Sequence, residues 1–228
     1  MVSEVPLGRS GPPAGHAVIA GVPRDPDTLL AASRRLDWRF LLPNPQLGQV
    51  AYVGPAGGSL REALEWFSDA LTIIEVAELY GNLGTRYETA VVSAPSYEVL
   101  NQVVTLIKPG GFLYIEAFGR FLPPKARQEA KCRSMGRGAR PRHPEQYRDV
   151  LEREGLAMVR SHWHWPNFES CTKIIPLEHE AALRYALWPR RRGIQARLLH
   201  SRFGRCLLRS ALPRIVPCFS IVACRISG

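Results

Sequence analysis

The sequence lacks long apolar runs. No uninterrupted apolar segment approaches the ~20 residues that a membrane-spanning helix needs, so we expect no such helix. Residues 1–23 have an early acid, scattered Pro and Gly, and no basic head followed by an apolar run. They do not resemble a secretory signal, and we interpret them as a flexible leader before a single domain over residues 24–228.

Paired cysteines are also missing. The five cysteines are an odd number and include no C-x-x-C pair, which argues against a disulfide framework and against a zinc ribbon. A zinc site that combines His162 and His164 with Cys171 is disfavoured, because the remaining ligands do not have metal-site spacing. We therefore predict no metal site and a cytoplasmic location.

Acidic residues are scarce in the second half of the chain. Residues 1–116 carry 8 Lys+Arg against 12 Asp+Glu (net −4), whereas residues 117–228 carry 22 against 8 (net +14). A field of this sign favours anionic partners such as an anionic small-molecule substrate, nucleic acid or an acidic lipid surface. A compositional bias, visible as 26 Arg against 4 Lys, explains the same charge without any partner.

Two segments concentrate this charge. Residues 119–142 are rich in Gly, Pro and Arg and are predicted to form a basic lid, which either clamps an anionic group or is simply solvated. Residues 184–214 hold nine arginines and no acid, and their apolar stripe (Leu199, Phe203, Cys206, Leu207) either contacts a membrane or packs on the core. RNA is less favoured, because no RNA-binding module is recognisable.

From residue 50 onward, short apolar strands alternate with amphipathic helices. The predicted strands are 50–54, 71–76, 90–94, 112–118, 157–165 and 218–226, and the predicted helices are one capped by Asp27, 59–70, 96–107, 143–155, 177–188 and 193–210. Near-continuous apolar strands between helices imply a mostly parallel sheet covered on both faces. The predicted fold class is therefore α/β, doubly wound.

The segment GPAGG follows the first predicted strand and precedes a helix. Glycines there permit a sharp bend and a close approach of the backbone to a ligand, which the free N–H groups of the helix would face. Gly54, Pro55, Ala56 and Gly58 are therefore candidate cofactor-binding residues, although an ordinary strand-to-helix turn has the same composition. Glu75 is predicted to end the next strand, where its carboxylate either accepts hydrogen bonds from ribose hydroxyls or is only solvated.

These pieces resemble a class I S-adenosylmethionine-dependent methyltransferase. The resemblance covers roughly residues 45–226 and rests on VAYVGPAGGSL, Glu75, YETAVVSA, LIKPGGFLYIE, EQYRDVLEREGL and CFSIVACRI. The family characteristically ends the helix before its fifth strand with a Pro-Gly-Gly turn, as in LIKPGGFLYIE. The resemblance implies a Rossmann-like fold with a terminal antiparallel strand and S-adenosylmethionine as the cofactor. It places the methionine part at Gly54 to Gly58, the ribose at Glu75, and the sulfonium near Ser93 and Ala94.

The chain departs from that family in two places. Tyr52 stands in the first strand, where the family has an acid that helps orient the methionine amino group. Only about fifteen residues separate Glu75 from the AVVS strand, so the third strand of the family is predicted to be missing. The adenine would then contact residues 76–88, with Tyr80 or Tyr87 as a stacking ring.

Two histidines supply candidate bases. In a strand, His162 and His164 share one face, and either would remove a proton from an acceptor. Hydrogen bonding to backbone or solvent is their alternative role. We predict O-methylation of a small molecule such as a sugar, glycan or natural product. Nucleic acid is less favoured as a substrate, because SAPSY does not match the Asp/Asn-Pro-Pro-Tyr motif of enzymes that act on base or glutamine amines.

Two other functions remain open. A methyltransferase-like protein that has lost cofactor binding would act as a binding or partner-stabilising module, as Tyr52 and the missing strand suggest. A nicotinamide-dependent dehydrogenase would share the glycine turn and the distal acid, but the sequence has no Tyr-x-x-x-Lys pair for hydride transfer. The sequence does not indicate an oligomeric state.

Overall fold

A computed structural model describes residues 25–81, 84–122, 135–136, 138–187 and 206–226. Its strands are β1 (Gln49–Val53), β2 (Ala70–Ile73), β3 (Tyr87–Ser93), β4 (Ile107–Phe118), β5 (Leu156–Trp165), β6 (Lys173–Pro176) and β7 (Cys218–Arg225). They form one seven-stranded sheet in the order β2-β1-β3-β4-β7-β5-β6. Strands β1 to β4 pair in parallel, and β7 pairs antiparallel with both β4 and β5, as β6 does with β5. The predicted terminal antiparallel strand is therefore confirmed.

Helices cover both faces of this sheet. They are α1 (Pro26–Arg35), α2 (Ser59–Phe67), α3 (Tyr97–Thr105), α4 (Pro144–Arg153), α5 (Glu180–Leu187), a π-helical turn (Leu207–Ala211) and α6 (Leu212–Ile215), with 3₁₀ turns at Asp37–Leu41 and Glu78–Tyr80. Buried side chains of α1 and α2 pack on one face, and those of α3, α4 and α5 pack on the other. The predicted doubly wound α/β class is confirmed. None of the helices in the described ranges combines the length and the apolar character that crossing a membrane requires.

The order of the strands reverses between β1 and β3. The chain passes from β1 through α2 to β2 on one side, whereas β3 lies on the other side of β1. Open α/β sheets bind their ligands beyond the carboxyl ends of the strands at such a switch point. The GPAGG loop leaves β1 at this edge, so the topology places the predicted cofactor residues where a ligand would bind.

Strand β2 forms one edge of the sheet. Between Ile73 and Tyr87 the described residues form the 3₁₀ turn Glu78–Tyr80 and no strand. Leu79 is the only buried side chain of that turn, because the segment has no apolar run that could enter the sheet. The described part of the chain therefore has no counterpart of the third strand of the family.

The structure corrects the predicted cap of α1 and the predicted end of β2, and it adds the unpredicted strand β6. The cap of α1 is Asp25 rather than Asp27, since the Asp25 carboxylate accepts from the N–H groups of Asp27 and Thr28 at 3.4 and 3.0 Å and Pro26 suits the first helical position. Strand β2 ends at Ile73 rather than at residue 76. Strand β6 was missed, because four residues are too few to show an alternating pattern.

The KPGG segment is a bulge inside β4 rather than a turn before it. The pairing of β3 with β4 shifts between Tyr87 and Thr89, so β4 accommodates extra residues there. Gly110 has a φ of 76°, and a Cβ on Gly111 would lie 2.8 Å from the Glu88 carbonyl oxygen. Both glycines are therefore required by the backbone of the bulge.

The carboxyl end of β4 is held against the segment that precedes β7. The N–H of Gly119 donates to the Pro217 carbonyl at 3.0 Å. A Cβ on Gly119 would lie 2.0 Å from the Val216 carbonyl oxygen. Because a backbone atom cannot rotate away as a side chain can, this close approach permits only glycine.

We expect Gly119→Ala to lower the free energy of unfolding by about 1–3 kcal/mol, the usual cost of overpacking. Urea unfolding measures this loss. Gly57→Ala is the matched control, because a Cβ on Gly57 would meet no atom within 4 Å. Equal losses in the two variants would contradict the proposed contact at Gly119.

Candidate functional site

The glycine loop is fixed through its carbonyl groups. The Tyr52 ring is buried beneath the loop, where a Cβ on Gly54 would lie 2.3 Å from the phenol oxygen. The Tyr52 hydroxyl donates to the Pro55 carbonyl at 3.4 Å. From α2, Arg61 donates to the Ala56 carbonyl. The loop is therefore supported from below by an aromatic ring and from one side by its own helix.

The first turn of α2 has no side-chain cap. Gly58 is the N-cap residue, with a φ of 126°, a conformation that favours glycine. The first N–H groups of an α-helix have no intrahelical partner, and the positive end of the helix dipole attracts an anion there. A Cβ on Gly57 or Gly58 would meet no atom within 4 Å. This end of α2 therefore has both the donors and the space to accept an anionic group.

Glu75 lies two residues beyond β2, in an exposed turn, rather than at the strand end as predicted. Its N–H donates to the Glu78 carboxylate at 3.1 Å. The preceding residue, Ile74, donates to the Tyr52 carbonyl at 2.9 Å, which keeps the exit of β2 beside β1. The Glu75 carboxylate is thus exposed at the same edge of the sheet as the glycine loop.

Ser93 is the buried last residue of β3. The next residue, Ala94, has a φ of 41°, a left-handed conformation that is uncommon for a residue other than glycine. The Ala94 N–H donates to the Glu116 carbonyl at 2.7 Å. Strained backbone of this kind clusters at ligand sites and persists only where its surroundings hold it.

The backbone of Met135 covers the loop that follows β3. Its N–H donates to the Ala94 carbonyl at 3.2 Å, and its carbonyl accepts from the Ser96 N–H at 3.0 Å. Gly136 packs so closely that a Cβ there would lie 2.5 Å from the Ser96 hydroxyl oxygen. The end of the predicted lid segment therefore closes over the carboxyl end of β3.

A buried ion pair, which the sequence analysis did not predict, joins α1 to the end of β4. Arg35 Nη1 and Nη2 donate to Glu116 Oε1 and Oε2 at 2.5 and 2.7 Å, and the side chains are 4% and 1% exposed. Burial opposes the charge on Arg35, but the attraction of Glu116 outweighs it and raises the guanidinium pKa above its ordinary value. A glutamate within the apolar strand FLYIEAF was the available signal, because a buried carboxylate needs a partner.

The same guanidinium reaches the start of α2. Arg35 Nε donates to the Ser59 hydroxyl at 3.1 Å, and that hydroxyl donates to the Glu169 carboxylate in the loop between β5 and β6. Ser59 directly follows the glycine loop. One arginine therefore connects α1, β4 and the first turn of α2. Both Ser59 and Arg35, whose Nε lies 3.8 Å from Glu169 Oε1, extend the connection to the β5–β6 loop.

His162 and His164 are buried on the same face of β5. The Nε2 atom of His164 lies 2.8 Å from the Ser220 hydroxyl oxygen. Burial lowers the pKa of His162 to about 4 and the pKa of His164 to about 3. Imidazoles with such a low pKa are weak bases, so this geometry does not favour the base role, which stays a prediction.

The two rings predicted to contact an adenine have different environments. Tyr87 is a buried core residue, since its position at the start of β3 directs the side chain into the core on the α3 face. The prediction that Tyr87 is available for stacking is therefore wrong. Tyr80 is exposed on the 3₁₀ turn after β2, and its stacking role stays a prediction.

Most of the predicted basic segments lie outside the described residues, as does the leader over residues 1–23. Within the lid, Arg140 donates to the Gly136 carbonyl at 2.9 Å. In the apolar stripe predicted over residues 199–207, Leu207 is exposed, whereas its neighbour Leu208 is buried in the core. Across the part of the chain that is described, no three His, Cys, Asp or Glu side chains are grouped to hold a metal ion.

Comparison with known proteins identifies the fold. No family model and no curated protein matches the chain. A SAM-dependent methyltransferase from Archaeoglobus fulgidus is similar in structure over 87% of this chain and 94% of its own, at 12% identity and a TM-score of 0.50. The chain therefore has the class I methyltransferase fold, as the sequence resemblance predicted.

Two further solved structures are similar to the chain at lower TM-scores. Phosphoethanolamine N-methyltransferase 2 from Haemonchus contortus is similar over 90% of this chain and 54% of its own, at 13% identity and a TM-score of 0.46. The N-methyltransferase NodS from Bradyrhizobium japonicum is similar over 90% of this chain and 99% of its own, at 12% identity and a TM-score of 0.44.

Removing one member of the buried ion pair should be more costly than removing both. We expect Arg35→Met or Glu116→Met to lower the free energy of unfolding by about 3–5 kcal/mol, since each leaves the other charge buried without its partner. The double variant should recover part of this loss in urea unfolding. Lys108→Met is the control, because it breaks a half-exposed pair with Glu88 that should contribute about 0–1 kcal/mol. Single-variant losses as small as this control would contradict the prediction.

Proposed function

We propose that this chain binds S-adenosylmethionine and transfers its methyl group to a small molecule. One arrangement supports the proposal: an uncapped helix N-terminus and an exposed carboxylate follow two adjacent strands, β1 and β2, at the same edge of a doubly wound sheet. The class I methyltransferase fold supports the proposal, because it leads these groups to the edge where ligands bind.

The residues present fit this cofactor. The N–H groups that follow Gly54 would hold the methionine carboxylate, since they end at an uncapped helix with open space at Gly57 and Gly58. Glu75 would accept hydrogen bonds from the ribose hydroxyls. Ser93, the buried last residue of β3, would border the sulfonium. Tyr52 supports the loop and, unlike an acid, supplies no charge for the methionine amino group.

When bound, S-adenosylmethionine supplies an electrophilic methyl group on a sulfonium. The tasks of the chain are then to hold an acceptor in line with that group and to exclude water. Phe118 and Phe121, at the end of β4, and the backbone of Met135, over the end of β3, border the same edge. We assign the exclusion of water to these groups.

We propose an oxygen acceptor on a sugar, glycan or natural product, and specifically an oxygen that is already ionised. A neutral hydroxyl needs a base, whereas His162 and His164 are buried and their pKa values are low. A carboxylate or phenolate has no proton to lose. The net charge of +14 in residues 117–228 also favours an anionic acceptor.

A methyltransferase-like binding module that has lost the cofactor is the second candidate. Two observations favour it: the Tyr52 ring fills the space beneath Gly54, and the described residues form no third strand beyond β2. Such a module would act by binding or stabilising a partner, and its fold would not respond to the cofactor.

Calorimetry with S-adenosylmethionine and S-adenosylhomocysteine separates the two candidates. We expect both ligands to bind, and Glu75→Ala to weaken binding by about 1–3 kcal/mol through the lost ribose hydrogen bonds. Glu152→Ala is the control, since Glu152 is also exposed but lies in the last turn of α4, at the opposite end of the sheet. Absence of heat up to millimolar ligand would favour the binding module, and unchanged affinity in Glu75→Ala would remove Glu75 from the site.

Gly57→Ala tests the open space beside the loop. Because a Cβ on Gly57 would meet no atom within 4 Å, the free energy of unfolding should not fall. The added methyl group would instead occupy the space assigned to the cofactor, and we expect the affinity for S-adenosylmethionine to fall about tenfold, or 1.4 kcal/mol. Urea unfolding and calorimetry on one preparation measure both quantities. Unchanged affinity would show that the cofactor does not occupy this space.

A further inference from the structure

The orientation of α2 depends on more than the glycine loop that precedes it. Ala56, Gly57 and Gly58 are exposed, and glycine leaves the backbone free to adopt many conformations. The apolar face of α2, formed by Leu60 and Leu64, holds the helix on the sheet. Apolar packing is not directional, and Arg61 joins α2 to the Ala56 carbonyl of the exposed loop. A contact from outside the loop is therefore needed to fix the first turn.

Ser59 makes that contact at the first residue of α2. Its hydroxyl accepts from Arg35 Nε at 3.1 Å and donates to Glu169. The guanidinium donates two hydrogen bonds to the Glu116 carboxylate, and its planar shape fixes where the remaining Nε–H points. Ser59 is therefore bound to a group that cannot itself rotate.

We propose that Arg35 is a positioning residue, which holds Ser59 and thereby fixes the N–H groups of the first turn of α2 in the orientation that cofactor binding requires. The inference rests on the proposed function, because the positioned groups are those assigned to the cofactor. Arg35 acts through Ser59 and does not itself contact the cofactor.

Glu116 also positions the loop that follows β3, on the other side of the candidate site from α2. Its side chain holds Arg35, and its carbonyl accepts from the N–H of Ala94 at 2.7 Å. Ala94 has the strained left-handed φ of 41° at the end of β3. One residue of β4 therefore sets the position of the loop after β1 and the position of the loop after β3.

Ser59→Ala tests the inference without breaking the buried ion pair. Hydrogen exchange is measured on the protein without cofactor, at the Glu62 amide, which donates to the Gly58 carbonyl. We expect exchange there to accelerate and the affinity for S-adenosylmethionine to fall, each by about tenfold, because a hydrogen bond to a charged donor is lost. Amides of α3 give the internal reference, since a global loss of stability would accelerate them as well.

Two further variants serve as controls. Ser59→Thr keeps the hydroxyl, so the exchange rate at Glu62 and the affinity for S-adenosylmethionine should equal those of the unaltered protein. Ser68→Ala removes a serine hydroxyl at the other end of α2, where it donates to the Leu64 carbonyl at 2.6 Å, and should change neither.

The outcomes separate the inference from the proposed function. The inference is overturned if exchange at Glu62 is unchanged in Ser59→Ala, if Ser68→Ala has an equal effect, or if faster exchange leaves the affinity unchanged. If the unaltered protein binds no S-adenosylmethionine but Ser59→Ala still accelerates exchange, the anchoring of α2 is supported and the proposed function is overturned.

Discussion

The buried ion pair between Arg35 and Glu116 is the interaction on which the candidate site depends. Removing two charges from water is costly, and a well-packed apolar pair of similar volume often gives equal or greater stability. The pair is therefore better explained by the orientation it gives to neighbouring groups than by a contribution to the free energy of unfolding. A guanidinium that donates two hydrogen bonds to one carboxylate has a third donor of defined orientation, and that donor reaches Ser59 at the start of α2. The end of β4 and the helix after the glycine loop are thus held in one arrangement.

Because the described residues form no third strand, the two sides of the candidate cofactor site differ in how firmly their residues are held. On the loop side, the backbone is held by the buried Tyr52 ring and by Arg35. On the β2 side, Glu75 and Tyr80 lie in an exposed turn beyond an edge strand. Exposed groups of this kind lose side-chain entropy when they become ordered on a ligand. We therefore expect cofactor affinity to come mainly from the glycine loop, with less from the adenosine side.

Features that depend on neighbouring residues could be predicted from the sequence, whereas features that depend on distant ones could not. Apolar runs gave the strands and the class of fold, and the short interval after Glu75 indicated the missing strand. The partner of Glu116 lies 81 residues away, so no local pattern reveals it. The glycines of KPGG indicated a bend but not that it lies within β4. Alternation in β5 placed His162 and His164 on one face, yet alternation does not indicate how deeply that face is buried.

The burial of the polar residues around Glu116 also limits the chemistry of the site. Tyr114 donates to Glu116 at 3.3 Å and stacks on Trp38, with ring centroids 3.7 Å apart, while His164 contacts Ser220 at 2.8 Å on the neighbouring strand. Both Ser220 and His164 are buried, and a buried hydroxyl needs a hydrogen-bond partner, which the neutral imidazole supplies. Burial lowers the pKa of His164 to about 3, and an imidazole with so low a pKa is a weak base. This burial is one reason for the proposal that the acceptor arrives already ionised.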